Sequence, residues 1–298
     1  MWDELEFAFA LSVSGLSIGL MYSLIALGFV LVYKATEAIN FAQGEFVMLA
    51  GFIVALILAV KGAPVIVAVG AVLALMILFS FGLERIVLRP LLGRPVIAVI
   101  MATIGLGAIL RGLPPITVGG ETRAVTLGIG DAPIAIGPAS LPPIQVLGVV
   151  VTLAFLAIFT WFFLRSRMGV AMRAVADNQQ VAMAMGINVE RYFALAWAMA
   201  GIVSALGGVI WGSMLGVDVH LALVGLKVFP VVILGGLDSV VGAVVGGLII
   251  GLVESLAAGY LDPYVGGGTK DFAPYVVMII ALMFRPYGIF GTRRIERV

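Results

Sequence analysis

Asn40-Phe41-Ala42-Gln43-Gly44-Glu45 runs without a break into Phe46-Val-Met-Leu-Ala-Gly-Phe-Ile-Val-Ala-Leu-Ile-Leu-Ala-Val60. The stretch reads as a helix that enters a bilayer with a carboxylate at its mouth. A charge that reaches the bilayer centre costs about 3 kcal/mol. Three things make it tolerable: a neighbour of opposite charge, a water-filled pathway, or the partial positive charge of a helix N-terminus. Glu45 is thus either a group on a polar pathway or a structural group that satisfies the first turn of its own helix.

The rest of the chain agrees with a membrane setting. Apolar residues make up 62% of the 298 and charged residues 11%, and mean hydropathy is +1.21. Soluble domains carry about 25% charged residues. A span needs about 20 apolar residues, and candidates fall at 9–33, 42–60, 64–83, 96–112, 144–164, 193–215, 240–259 and 273–285. The first residues, Met1 to Glu6, are acidic where a signal peptide is basic, so the first apolar segment is expected to stay as a helix. The expected fold is all-α: a polytopic transmembrane helical bundle of 8–9 spans, within a single domain over 1–298.

Basic loops set the expected sidedness. Lys34, Arg85, Arg89, Arg94, Arg165, Arg167, Arg173, Arg191, Arg285, Arg293, Arg294 and Arg297 are most of the 17 basic residues. The positive-inside rule puts them in the cytoplasm. The N-terminus and a loop at about 113–143, with Glu121 and Asp131, then lie outside, and the C-terminus inside. For the last span to end inside, the short apolar run 226–236 must count as a crossing. At 1.5 Å per residue it covers roughly half the hydrocarbon core. A short or broken helix of that kind belongs where protein or a cavity surrounds it. Small residues four apart, at Gly15/Gly19, Gly208/Gly212, Gly242/Gly246 and Gly247/Gly251, predict close helix contacts.

Composition also excludes chemistry. With no cysteine there is no disulfide or thiolate site, and a lone histidine, His220, rules out a multi-histidine metal centre. No metal or cofactor is expected, and no basic tract with aromatics points to nucleic acid. An intramembrane enzyme has no residues to work with here. His220, beside Asp218, reads as an exposed polar residue. Arg111 and Lys227, near helix ends, are expected to snorkel.

The loop at about 165–192 is too polar to span and too apolar on one stripe to be a solvated linker. Met172, Val175 and Ala176 recur at helical spacing, as do Val181, Ala182 and Met185. Asp177 or Asn178 would cap a short helix that ends at Gly186. Such a helix either lies among lipid headgroups or docks into a groove of another protein, and its arginine flanks allow both.

Gly15-Leu-Ser-Ile-Gly-Leu-Met-Tyr22 to Gly28, the Asn40–Glu45 segment, the loop from Asp177 to Gly186, Gly235-Gly236-Leu-Asp-Ser to Gly247, and Phe284-Arg-Pro286-Tyr-Gly288-Ile-Phe-Gly291 follow one another in a recognisable order. Together they resemble the membrane permeases of the ATP-driven (ABC) importers for branched-chain and other hydrophobic amino acids, over nearly the whole chain. The resemblance implies a bacterial inner-membrane permease fed by a periplasmic binding protein and paired with a second permease and two cytoplasmic ATPase subunits. It implies that Arg173, Asp177, Asn178, Ala182 and Gly186 form the coupling loop that inserts into an ATPase. No Gly-x-x-x-x-Gly-Lys-Ser/Thr occurs, so ATP hydrolysis must belong to partners and the chain is no enzyme itself. Asn40, Gln43, Glu45, Asp238 and Glu254 are the polar groups expected near a translocation path. For Asp238 the competing role is to cap the helix starting near Val240; Glu254 is expected to face the bundle interior with a hydrogen-bonding partner. The alternative to the importer is a secondary transporter or channel that works alone, which has no use for the Arg165–Arg191 loop.

Overall fold

The computed structural model describes residues 2–60, 63–91 and 94–292. Of the residues discussed above, Met1, Arg293, Arg294 and Arg297 lie outside the described residues. The helices are α1 (Trp2–Thr36), α2 (Gln43–Leu58), α3 (Val65–Leu83), α4 (Val96–Thr117), α5 (Pro143–Arg165), α6 (Arg167–Asp177), α7 (Gln179–Ala184), α8 (Val189–Leu215), α9 (Leu223–Gly235), α10 (Val240–Tyr260), α11 (Asp262–Val265) and α12 (Thr269–Phe284). A small antiparallel pair, β1 (Ile134–Ile136) and β2 (Ala139–Leu141), sits between α4 and α5 with Ile134 opposite Leu141. Among the described residues six helices are long and apolar enough to cross a membrane, and α2 and the segment Val219–Gly235 are shorter apolar helices. The fold is a helical membrane bundle, as expected. The hairpin inside loop 113–143 is an addition, carried by three-residue strands too short to show a period-2 pattern.

The described residues cluster into two compact units. One comprises the described residues of 2–30, 129–152 and 226–292, the other those of 31–60, 63–91, 94–128 and 153–225, so that α1, α5 and α9 each have residues in both.

In the first unit the glycine pairs do what their spacing predicts. A methyl added to Gly15 would sit 2.7 Å from the Gly251 carbonyl oxygen and 2.8 Å from Ser255 Cβ, and Gly19 is equally closed by Gly247. The backbones of α1 and α10 therefore touch, and Ser23 spans them by donating to Gly19 O at 2.9 Å and Val244 O at 3.3 Å. Gly235 meets Gly242 across the α9–α10 turn in the same way. Two motifs far apart in sequence also meet. Ile289 N–H donates to Leu234 O at 2.8 Å and Phe290 N–H to Gly235 O at 3.0 Å. Gly288 (φ +78°) and Gly236 (φ +108°) adopt the left-handed conformation there, where a side chain would be strained as well as crowded.

That contact bears on Asp238. Ser239, not Asp238, caps α10, its hydroxyl accepting from Gly242 N–H at 2.9 Å. The capping expectation for Asp238 is therefore corrected: its carboxylate accepts from Thr292 N–H at 3.2 Å and from the Thr292 hydroxyl. The reason is register, because Ser239 occupies the position whose hydroxyl reaches the third amide of the helix. At the other end of α10 the Thr269 hydroxyl and amide hold the Asp262 carboxyl below its usual range and tie α11 to the start of α12.

In the second unit α8 packs along α2 and α3. Gly208 admits the backbone of α2 (Val47 O at 2.6 Å from a notional Cβ) and Gly201 admits α3 (Met76 O at 2.6 Å). Between them Phe46 stands edge-on to Phe79, with ring centres 5.3 Å apart, and tilted against Trp197. Contacts this close depend on small residues, since no hydrophobic force drives helices together in lipid. His220 is exposed beside Asp218 at 3.5 Å. Partial burial pushes the Asp218 carboxyl up, but hydrogen bonds from His220 N–H and the Thr122 hydroxyl outweigh it and hold the group low.

Candidate functional site

The head of α2 carries a buried polar chain. Asn40 donates from Nδ2 to Gln43 Oε1 at 3.1 Å and accepts at Oδ1 from Ala42 N–H at 3.1 Å, which turns the chain into the helix. Gln43 Nε2 donates to Ser204 Oγ on α8 at 3.0 Å, and Ser204 in turn donates to Ala200 O at 2.8 Å. Asn40, Gln43, Glu45 and Ser204 are all buried.

Glu45 lies in the first turn of α2, where the helix dipole favours a carboxylate. It is also paired: Arg111 Nη2 donates to Glu45 Oε1. One face of α4 makes this possible at a spacing of four. Thr103 accepts from Phe41 N–H at 3.3 Å, Gly107 leaves room for the carboxyl group (Glu45 Cδ at 3.3 Å from a notional Cβ), and Arg111 supplies the charge. The structure thus corrects the expectation for Arg111, which does not simply snorkel. Its guanidinium is half exposed and its far end is tied to Glu45. The clue in sequence was the run Thr103, Gly107, Arg111 on one helical face.

Glu254, in the first unit, has a comparable arrangement. Its Oε1 accepts from Tyr22 at 3.2 Å and lies 3.4 Å from Lys227 Nζ, while Lys227 also reaches Asp271 at 2.7 Å. Lys227 is therefore a bridge between two acids, again more than a snorkelling residue. Tyr275 on α12 donates to Leu226 O at 3.0 Å beside it. Glu254 faces the interior of its unit, and Tyr22 and Lys227 are the partners that sequence alone could not name. Asp238, at the α9–α10 turn, is not brought to Glu254 by any hydrogen bond or ion pair.

The loop at 165–192 folds into two capped helices. Ser166 accepts from Gly169 N–H at 2.8 Å to start α6, Asn178 accepts from Val181 N–H at 2.9 Å to start α7, and Asn188 accepts from Arg191 N–H at 3.2 Å to start α8. Of the two expected caps, Asn178 takes the role; Asp177 ends α6 and is exposed. Gly186 (φ +80°) closes α7: its own N–H reaches Met183 O at 3.0 Å and Ile187 N–H reaches Ala182 O at 3.0 Å. That double bond around a left-handed residue is the Schellman ending. Arg173 turns back, donating to Phe163 O and lying over the Phe163 ring at 5.3 Å. The expected stripe is partly corrected. Met172, Val175 and Ala182 are buried, but Val181 and Met185 point outward with Met183, at 57%, 77% and 55% exposure. A six-residue helix has too few turns to bury both sides, and Ala182 takes the inner one.

Among the described residues no group of three or more His, Asp or Glu is placed to hold a metal ion. The fold and these buried ion pairs define a polytopic helical membrane protein with charge kept inside its bundle.

The family described as branched-chain amino acid transport system, permease component, matches residues 11–284. The high-affinity branched-chain amino acid transport system permease protein LivH of Escherichia coli (strain K12) is 32% identical over 301 residues, 96% of each chain. BraD of Pseudomonas aeruginosa, described in the same words, is 32% identical over 302 residues, again 96% of each. A probable branched-chain amino acid transport permease protein LivH of Methanocaldococcus jannaschii is 29% identical, covering 90% of this chain and 88% of its own. Among solved structures, PsaBC from Streptococcus pneumoniae in complex with Fab aligns with a TM-score of 0.48 at 14% identity, over 93% of this chain and 91% of that one. The chain belongs to the branched-chain amino acid transport system permease family. It is a permease subunit of an ATP-driven importer, a multi-pass inner-membrane protein and not an enzyme, in a family whose members work with ATPase and binding-protein partners.

Proposed function

We propose that the whole chain, 1–298, acts as one permease domain that passes branched-chain or similar hydrophobic amino acids delivered by a periplasmic binding protein. It pairs with a second permease and two cytoplasmic ATPase subunits, with its N-terminus outside and C-terminus inside. The substrate reading rests on the full-length likeness to relatives named for branched-chain amino acids. Asn40, Gln43 and Glu45 border the translocation path, with Asp238 and Glu254 as further polar groups along it.

The observation that carries the mechanism is the α6–α7 pair. It is capped at its starts, closed by Gly186, and exposes Val181, Met183 and Met185. Three large apolar side chains, two on the short helix α7 and one at its C-terminal cap, fit a groove in an ATPase better than they fit water. ATP binding then biases the bundle through differential contact with this loop, in which Arg173, Asp177, Asn178, Ala182 and Gly186 take part. Gly186→Val tests this. Open space surrounds Gly186, so the damage comes from its φ of +80° alone. ATP-driven leucine uptake should fall at least tenfold with normal membrane abundance. Uptake at the wild-type rate would sink the coupling assignment. Asp177→Lys, on the exposed rim, should also abolish uptake.

A further inference from the structure

Arg89 stands just past the end of α3 and joins two elements of the second unit. Before it, Glu84–Leu88 forms a π-helical turn, a widening that is rare and often found at functional sites. The backbone bond that closes this turn runs from Arg89 N–H to Glu84 O. Successive residues of an α-helix turn by about 100°, so side chains five apart face different ways. The wider π turn brings positions 84 and 89 onto one side. Arg89 Nε and Nη2 grip the two oxygens of the Glu84 carboxylate there, at 3.2 and 3.0 Å.

Glu84 is 1% exposed, so this fork neutralises a buried charge and fixes the plane of the guanidinium. The remaining nitrogen serves a second element: Nη1 donates to Glu190 Oε2 at 3.1 Å. Glu190 lies in the first turn of α8, just past Asn188, whose side chain starts that helix. Gly186, which closes α7, comes shortly before Asn188. Gly201, where the backbones of α8 and α3 meet, is about 16 Å further along α8 at 1.5 Å per residue. A push on α7 therefore arrives at the end of α8 that Arg89 holds.

We propose that Arg89 is a positioning residue for transport: it fastens the coupling-loop end of α8 to the end of α3, so that movement of the loop carries α3 with it. The two arms of the guanidinium do different work. The fork onto Glu84 holds the residue in place. The arm to Glu190 is exposed, at 29% for the Arg89 side chain and 58% for Glu190, and surface pairs of this kind add little to stability. Coupling needs only a contact that differs between two states. The outer arm can open in one state and close in the other while the Glu84 fork stays shut. This inference rests on the importer reading, with α6–α7 as its coupling loop.

The test uses the complete importer in proteoliposomes, with its ATPases, second permease and binding protein. It reads leucine imported per ATP hydrolysed, beside the melting temperature. Glu190→Gln should lower that ratio about fivefold, with the melting temperature and membrane abundance of the wild type. Glu84→Met/Arg89→Met removes the fork without stranding a buried charge, since apolar side chains of similar volume often replace a buried pair without loss of stability. It should lower the ratio as far. Combining all three substitutions should lower it no further, because both variants cut the same tie. A wild-type ratio in Glu190→Gln overturns the proposal. So does a triple variant in which the two losses multiply, since Glu190 would then act on an ATPase directly. Gly186→Val, measured alongside, separates this proposal from the coupling-loop reading. If Gly186→Val stops uptake while Glu190→Gln keeps the full ratio, the Arg89 tie falls and the loop stands. If Gly186→Val imports normally while Glu190→Gln lowers the ratio, the tie stands and the loop assignment falls.

Discussion

Arg111 and Glu45 show what a single pair of residues does in this protein. Glu45 is 4% exposed whereas Arg111 is half exposed, so removing Arg111 leaves a buried carboxylate without its partner, at a cost below the roughly 3–5 kcal/mol of a fully buried pair. Arg111→Met should therefore lower the thermal stability of the detergent-solubilised protein sharply. Glu45→Gln should lower it much less, and the double variant should recover most of the Arg111→Met loss. A double variant as unstable as Arg111→Met would mean that Arg111 acts through its packing and not its charge. Uptake separates the roles of Glu45: Glu45→Gln that slows transport at normal abundance marks a path residue, and a collapse of abundance alone marks a structural one. The presence of a carboxylate at this depth was legible in Asn40–Glu45. Its partner was not, because 66 residues separate Glu45 from Arg111.

At the scale of elements, helices here are held together by absent side chains. Gly247→Val would push a branched side chain into the backbone of Gly19 and into Ser23. Overpacking costs about 1–3 kcal/mol where side chains can yield, and backbone yields less. The α1–α10 contact should open and folded yield in detergent should fall. Gly70→Ala in α3 is the control, since nothing lies within 4 Å of its added methyl and alanine is the better helix former. If Gly247→Val proves as stable as Gly70→Ala, the close approach does not hold these helices. The glycine spacings predicted the contacts, but not which helix each one meets. The capping residues of the 165–192 loop were nearly readable as well, because caps are local. Asn178 and Gly186 were found from sequence, whereas the inward turn of Arg173 onto Phe163 needed the fold.

For the whole molecule, α3, α4 and α5 leave most of their apolar length uncovered, with 22%, 17% and 17% of their spanning windows buried. Lipid or a second permease must cover those faces. A gentle detergent pull-down from native membranes, read by mass spectrometry, should recover a second permease and an ATPase pair in stoichiometric amounts. The chain emerging alone and active in liposomes without ATP would instead favour a stand-alone transporter.

Composition and hydropathy by themselves determined that this is a helical membrane protein, because a bilayer admits only segments that satisfy their own backbone. Motif order determined the family, and local caps and glycines determined where helices start, stop and touch. Only the tertiary structure decided how the buried charges are neutralised. Tyr22 meets Glu254 across 232 residues, and Lys227 divides itself between Glu254 and Asp271. Pairing of this kind depends on which helix faces which, and no local period in a chain encodes that.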